Sequence, residues 1–308
     1  MPAEVFGPEY AFLKRDELLA FDEIARLTRV FTALGVHKIR LTGGEPLLRR
    51  DLPQLVSSLH AIPGIDDIAL TTNGVLLDRF SEDLRASGLH RVTVSLDAID
   101  DAIFKKMNGR GIPVKRVLSG IDAAAASGLP VKVNMVVQKG VNESEILPMA
   151  SFFRERGHTL RFIEFMDVGN HNHWKMEEVY PARRIVEDIS RNFQIEPLDP
   201  NYRGEVARRY RYSGTEVEIG IIGSVTRPFC ANCTRARLSA DGKLYTCLFA
   251  HEGWDLREML RAGDSDEQIL GMLQKIWSKR RDRYSEQRGE FLRMHRHPHK
   301  VEMSYIGG

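Results

Sequence analysis

The residues whose types and spacing most clearly permit chemistry are the cysteines. Cys230, Cys233 and Cys247 are the whole cysteine content of 308 residues and fall within 18 of them. A two-residue gap lets two thiolates face one centre, and Asp241-Gly242, between two β-prone arms, is a hairpin signal that would bring the third alongside. Scattered core cysteines rarely crowd in this way, so the spacing points to a metal or iron–sulfur site. Two centres satisfy it. A structural zinc ion wants a fourth protein ligand, for which His251 stands four residues after Cys247. A [4Fe–4S] cluster held by three cysteines leaves one iron open to a substrate atom. An odd number of thiols in so long a chain argues against a disulfide framework.

A second group of residues suits a polar ligand. Thr42-Gly43-Gly44-Glu45-Pro46 closes an expected strand and runs into Leu47-Leu48-Arg49. Parallel α/β folds collect ligands at the carboxyl ends of their strands. Two glycines there let a ligand approach the backbone, and Glu45 with the last strand carbonyls can accept from an ammonium group. Alone, the run reads as a plain strand-to-loop turn. Thr71-Thr72-Asn73-Gly74 and Ser95-Leu96-Asp97 end two more strands similarly, and three such endings imply a lined pocket. Cations accompany it: Lys38 and Arg40 before the glycines, Lys132 and Arg161 within otherwise apolar runs, and Arg235 with Arg237 between the cysteines. A charge inside a β-run is costly unless paired, so the group fits a polyanion such as a nucleoside triphosphate. The bland reading of any one of them is an exposed face or an internal pair, Arg161 with Glu164 for example. Arg235 and Arg237, two apart on a strand, share a face.

Hydrophobic periodicity supplies the frame for these residues. A helical pattern over 16–34 stops at Gly35. Strand-like runs at 37–42, 67–72, 91–96, 131–137 and 160–165 alternate with helical stretches near 52–61, 79–87, 114–127 and 144–156. Strands separated by one helix each mean βαβ units and a parallel sheet. From about residue 200 the pattern changes to β-hairpins, 208–225 turning at Ser213-Gly214 and 236–249 at Asp241-Gly242, with helices near 254–262 and 265–281. This reads as an α/β region over 1–200 and a smaller hairpin and helical cap over 201–308.

Composition narrows the function classes. With 44 Lys+Arg against 42 Asp+Glu, the net charge of +2 gives no reason to expect nucleic acid or a membrane surface as partner. A hydrophobic fraction of 43% is ample for a core, no run of 18 apolar residues occurs, and the N-terminus has no signal-peptide pattern, so a cytoplasmic protein is expected. Residues 279–300 are rich in Lys and Arg and read as a solvated helix face and tail. His171-Asn172-His173 reads as a loop, and His295, His297 and His299 as exposed. Gly307-Gly308, taken alone, is a frayed end.

Taken together and in order, KIRLTGGEPLLR, TTNG, VSLDA, VKVN, RFIEFM, FCANCTRARLSADGKLYTCLF and SYIGG closely resemble the GTP 3′,8-cyclases, a family of radical S-adenosylmethionine enzymes of molybdenum cofactor biosynthesis. The resemblance spans essentially the whole chain. It implies a partial (β/α)6 TIM-like barrel, here without its first strand, and a C-terminal cap carrying an iron–sulfur site. By position, Gly44, Ser95 and Met166 match the family's S-adenosylmethionine contacts, beside Glu45 of the loop that holds the methionine part. Arg40, Thr71, Lys132, Arg235 and Arg237 match its GTP contacts, with Lys38 and Arg161 as further neighbours. Cys230, Cys233 and Cys247 match the ligands of a [4Fe–4S] cluster whose open iron receives the guanine. The Gly307-Gly308 tail reaches into the active site in the family, which outweighs the frayed-end reading and makes these glycines, with Arg235 and Arg237, the candidate catalytic residues.

The reaction so implied converts GTP to (8S)-3′,8-cyclo-7,8-dihydroguanosine 5′-triphosphate. An electron donor such as flavodoxin or ferredoxin, cyclic pyranopterin monophosphate synthase as the next enzyme, and a homodimer are the implied partners. In the family a second, radical-generating [4Fe–4S] cluster is held by a Cys-x3-Cys-x2-Cys loop whose last cysteine directly precedes Met-Pro, and this sequence opens at Met1-Pro2. On that reading the motif, the first strand and one arginine contact to GTP are absent. The chain as given is then expected to load one cluster, to yield no 5′-deoxyadenosine and to lack cyclase activity. The alternative is a non-catalytic iron–sulfur or zinc-binding nucleotide module.

Overall fold

The computed structural model describes residues 13–293 and 300–307. In chain order its elements are α1 (Phe21–Thr32), β1 (Lys38–Leu41), α2 (Leu52–His60), β2 (Asp67–Thr72), α3 (Leu77–Ala86), β3 (Arg91–Ser95), α4 (Asp101–Asn108), α5 (Val114–Ala126), β4 (Val131–Val137), α6 (Ile146–Glu155) and β5 (Thr159–Glu164). They continue with α7 (Ala182–Ser190), β6 (Ile195–Leu198), β7 (Arg208–Tyr212), β8 (Glu218–Ile222), β9 (Arg237–Leu238), β10 (Lys243–Tyr245), β11 (Trp254–Asp255), α8 (Leu256–Ala262), α9 (Asp266–Ser278), α10 (Tyr284–Arg293) and α11 (Met303–Ile306). The α/β class and the five expected parallel strands are present.

One sheet has the order β1-β2-β3-β4-β5-β8-β7-β6. Its first six members run parallel, and β7 and β6 complete it antiparallel. The 208–225 hairpin thus extends the main sheet through β8, beside β5, and does not belong to a separate cap. The Asp241-Gly242 hairpin does stand apart, as β11-β10-β9. Helices α8 and α9 pack Leu256, Leu260, Ile269 and Leu273 against Leu27 and Val30 of α1. The C-terminal elements are therefore seated on the first helix.

The two faces of the main sheet differ in kind. One carries Ile68, Leu70, Val92, Val94, Val133, Met135, Leu160, Phe162, Ile219 and Ile221, all buried under the helices. Parallel sheets covered on both sides read as continuous apolar runs, but β4 alternates buried Val131, Val133 and Met135 with partly open Lys132 and Asn134. Register carries that alternation across the sheet, setting Arg40 beside Ala69, Thr71 beside Thr93 and Lys132, and Ser95 beside Asn134 and Arg161. The second face is a polar, cation-rich surface.

Several elements depart from the sequence expectations. The 16–34 helix is a short 3-10 turn at Arg15–Glu17 followed by α1, because the Glu23 carboxylate accepts from the Ala20 backbone N–H (2.7 Å) and starts the helix afresh. Helix α4 had a readable signal in Asp100, whose carboxylate accepts from the N–H groups of Ala102 and Ile103. Strand β6 holds Pro197, tolerated because it lies at a sheet edge. The reading of 279–300 as solvated fails at Arg288 and Lys300, only 2% and 5% exposed. His295, His297 and His299 lie outside the described residues.

Candidate active site

The GGEP loop is held by its own glutamate. One Glu45 oxygen accepts from Thr72 Oγ1 (2.7 Å) and the Leu47 N–H (3.1 Å), the other from the Asn73 N–H (2.8 Å). This ties the ends of β1 and β2 together. Space opens around Gly43, and Ser95 is exposed at the end of β3 although Val94 and Leu96 on either side are buried. Met166, two residues beyond β5, accepts from Asn172 Nδ2 through its carbonyl (2.7 Å). Gly44, Ser95 and Met166 therefore stand at the carboxyl ends of β1, β3 and β5, where such sheets bind ligands.

The polar face carries charge that the protein itself leaves uncompensated. Lys38 and Arg91 share Asp67, at 3.4 and 2.6 Å, and Lys38 also lies over the Tyr202 ring. Among the described residues, Arg40, Lys132 and Arg161 form no salt bridge. Arg40 is open to solvent on the polar face of β1, with protein close by on its other sides. Its guanidinium is pushed down by desolvation and then by Arg91 and Arg235. Burial and the neighbouring Arg40 and Arg91 bring Arg161 to about 10, and burial and Arg161 lower Lys132. Thr71 Oγ1, Asn134 Oδ1 and Arg161 Nε are buried there without hydrogen-bond partners. Buried polar groups are nearly always satisfied, so a cationic wall with orphaned donors and acceptors fits a polyanionic ligand. The Arg161–Glu164 pair does not form, because a separation of three along a strand puts the two side chains on opposite faces.

The three cysteines gather beyond this wall. Cys230 and Cys233 flank the 3-10 turn at Cys230–Asn232, closed by the Cys233 N–H to the Cys230 carbonyl (3.1 Å), and Cys247 follows β10 by two residues. All three are half-buried free thiols. Burial alone would raise Cys233, but Arg235, whose Nη2 donates to its sulfur (3.3 Å), and Arg280 bring it to about 7. Burial raises Cys247, partly offset by the Phe249 N–H donating to its sulfur (3.4 Å). Among the described residues no group of three His, Cys, Asp or Glu side chains, the cysteines and His251 included, is placed to hold a single metal ion. Thiolates on separate irons of a cluster lie farther apart than ligands of one ion, and three sulfurs stabilised by N–H donors and arginines fit such a cluster. The sequence holds no further cysteine for a second one.

The C-terminal tail enters the same space. Arg237 Nε donates to the Gly307 carbonyl (3.0 Å). A Cβ on Gly307 would lie 2.4 Å from Thr42 Cγ2, so glycine alone allows the tail this close to the GGEP loop. Burial and Arg235 bring Arg237 to about 10. Gly308 lies outside the described residues.

Known proteins bear on this arrangement. The Radical SAM superfamily profile matches residues 7–153, and Molybdenum Cofactor Synthesis C matches 158–286. The GTP 3′,8-cyclases of Staphylococcus saprophyticus and of Staphylococcus aureus strain Mu3 are each 48% identical over 309 aligned residues, covering 100% of this chain and 91% of theirs. The chain belongs to the GTP 3′,8-cyclase family. Streptococcus suis SuiB bound to S-adenosylmethionine shares the fold at 15% identity, with a TM-score of 0.61 over 85% of this chain and 62% of SuiB. The native form of anSMEcpe with bound AdoMet matches at 13% identity and a TM-score of 0.51, over 85% and 74%. No helix of the described residues is long and apolar enough to cross a membrane.

For a GTP 3′,8-cyclase family member, two arginines near the site have no counterpart among the sequence expectations for it, and Asp97, expected only as a polar strand end, has a more particular setting. Arg91 belongs to the cation group and is visible as an arginine opening a β-run. Arg280 reaches the Cys233 carbonyl (2.6 Å) from beyond α9, which no local pattern announces. Asp97, just past β3, is pushed by burial up to about 6, against one backbone N–H from Val136 (2.8 Å). A carboxyl whose folded value exceeds its unfolded 3.8 favours folding in acid, so stability falls as pH rises from about 4 through 6, by at most about 3 kcal/mol. Asp97→Asn keeps an acceptor for Val136, and thermal melts should show it gaining on the wild type at pH 7.5 and not at pH 4.

Proposed function

We propose that this protein is a radical S-adenosylmethionine lyase that cyclises GTP to (8S)-3′,8-cyclo-7,8-dihydroguanosine 5′-triphosphate, the first step of molybdenum cofactor biosynthesis. The observation that carries this is the unpaired cation group on the polar sheet face, set between the GGEP loop and three clustered thiols. S-adenosylmethionine would supply the hydrogen abstraction at C3′ of GTP from which the bond to C8 follows, given an electron from a second [4Fe–4S] cluster; the three cysteines of these 308 residues are all taken by the first cluster, so the chain as given is expected to bind both small molecules without turning them over. The GGEP loop, with Gly44, Ser95 and Met166, seats that cofactor, and Glu45 braces the loop. Arg40, Lys132, Arg161 and Arg235 receive the triphosphate, with Lys38 at the rim and Thr71 and Asn134 available to ribose or base. Cys230, Cys233 and Cys247 hold a [4Fe–4S] cluster with an iron open to guanine. Arg237 and the glycine tail close the space around the reacting carbons and exclude water.

The sheet supports the reading of a partial barrel whose polar face is the interior. In this scheme residues 1–200 serve the S-adenosylmethionine side, and 201–308 the cluster and GTP. A cytoplasmic location, a flavodoxin- or ferredoxin-type reductant, delivery to cyclic pyranopterin monophosphate synthase and a homodimer complete the proposal.

Anaerobic reconstitution tests it without requiring turnover. We expect about four irons and four sulfides per chain, lost in Cys233→Ser. Calorimetry should show GTP binding at least tenfold more tightly than guanosine, a difference of about 1.4 kcal/mol or more. Zinc in place of iron, or equal affinity for GTP and guanosine, would overturn the reading.

A further inference from the structure

The segment Lys300–Gly307 crosses the molecule as a strap, and its inner end is Gly307, held by Arg237. Helix α11 within it has four residues, too few to be stable alone. Its inner half is held by the buried Ile306 and by a side-chain hydrogen bond between Tyr305 and Asp241, and its outer end is fixed where it meets the loop directly after Met166.

That meeting is dense. Asn170 treats Lys300 as a neighbouring strand would: its Oδ1 accepts from the Lys300 N–H (2.9 Å) while its Nδ2 donates to the Lys300 carbonyl (2.6 Å). Glu302 Oε1 accepts from the Asn170 N–H (2.8 Å), from Asn170 Nδ2 (2.9 Å) and from His171 Nδ1 (2.8 Å). The Lys300 ammonium is buried against Asp167, donating to its carbonyl (2.7 Å) and carboxylate (2.8 Å). Arg288 Nε and the Tyr284 hydroxyl donate to the same carboxylate, at 2.7 and 2.5 Å. The Val301 N–H donates to the carbonyl of Ala250, three residues past Cys247.

We propose that the loop Asp167–His171 is a latch, and that Asn170 and Glu302 are positioning residues which, through the strap, set the Gly307 carbonyl on Arg237 and so orient that guanidinium for the ligand. The ligand half of this rests on the GTP reading above. The latch itself does not. Because the strap departs from the residue after the Met166 strand end and finishes at the GGEP loop, it couples two S-adenosylmethionine contacts to the GTP-facing arginine.

Two readouts on reconstituted protein separate the parts. Amide hydrogen exchange is measured over 300–307, with the β2 and β4 amides as internal standard. Asn170→Ala and Glu302→Ala are expected to speed exchange of the strap by about tenfold or more and to leave the sheet unchanged, whereas Glu302→Gln, which keeps an acceptor oxygen for Asn170, should exchange nearly as slowly as the wild type. Both sites are open to solvent or half-buried, so the variants should fold. Unchanged strap exchange would overturn the latch whatever GTP does.

The second readout is GTP affinity in a double-mutant cycle. Asn170→Ala should weaken binding roughly fivefold in the wild type and not at all in an Arg237→Ala background. Equal weakening in both backgrounds would overturn the positioning role while leaving the GTP reading intact. If the wild type binds no GTP, the functional reading and the positioning role fall together, and exchange alone decides the latch.

Discussion

Arg161→Met is expected to raise the melting temperature while weakening GTP binding by roughly tenfold to a hundredfold. The two effects share one cause. Arg161 stands on the polar face of β5, its stem lying over Gly220, where a Cβ would come within 2.8 Å of Arg161 Cγ. Its Nη2 reaches Thr93 Oγ1 at 3.2 Å, and its buried Nε has no partner. Burial with Arg40 and Arg91 nearby holds it near 10 against an ordinary 12.5. A cation whose folded value is depressed is penalised throughout the range in which it is charged in both states, from acid up to about 10. At pH 7 the penalty is about 3 kcal/mol, relieved only as the guanidinium deprotonates in strong base. Methionine keeps the apolar stem and removes the charge. A gain of 1 kcal/mol moves the midpoint of a chain this long by roughly 2 °C, so scanning calorimetry can read it. The charge-assisted bonds lost to a triphosphate are each about 1.5–3 kcal/mol, which gives the loss of affinity. A lower melting temperature with unchanged GTP affinity would mean that Arg161 serves the fold.

Glu164→Ala is expected to cost about 3–5 kcal/mol of stability and to reduce iron loading with it. Glu164 is fully buried at the end of β5. Its carboxylate accepts from the Ala182 N–H (2.6 Å), the Val225 and Thr226 N–H groups (both 2.8 Å) and Thr226 Oγ1 (2.5 Å). It thereby fastens the start of α7 and the loop that leads from β8 to Cys230. Alanine leaves the buried Ala182 N–H and the part-buried Val225 and Thr226 N–H groups without their acceptor, each costing about 1–3 kcal/mol where water does not take its place. Glu164→Gln should recover little, since its amide NH2 would face N–H donors. Urea titration with iron analysis at the same protein concentration checks both. A loss of stability below about 1 kcal/mol would show that water replaces the carboxylate.

Much of the frame was legible in the sequence because each signal was local. Alternation in Val131–Val137 and the glycines that follow four of the helices, Gly35, Gly88, Gly128 and Gly157, placed the parallel strands to within a residue or two. The cysteine spacing and the polar strand ends likewise pointed to a site before any contact was known. What could not be read depends on contacts far apart in the chain. Arg288 and Lys300 belong to a charge-rich run that looks solvated, and only Asp167, more than 120 residues away, explains why they are buried. His171 sits in an ordinary polar loop until Glu302 reaches it. The choice between zinc and a cluster is likewise one that spacing alone leaves open.

The sheet's continuity also governs how this protein can be divided. The seam between its two matched segments falls at 153–158, immediately before β5, which pairs with β4 from Lys132↔Thr159 to Val137↔Glu164. Both strands are interior to the sheet. Cutting there would leave each fragment with a long, apolar, unpaired edge, the kind of surface on which foreign strands add and chains aggregate. Split versions should therefore remain soluble only when the two halves are produced together and zip along that ladder. For this chain the seam is a suture in one body, and whatever history joined the segments has made them inseparable as folding units.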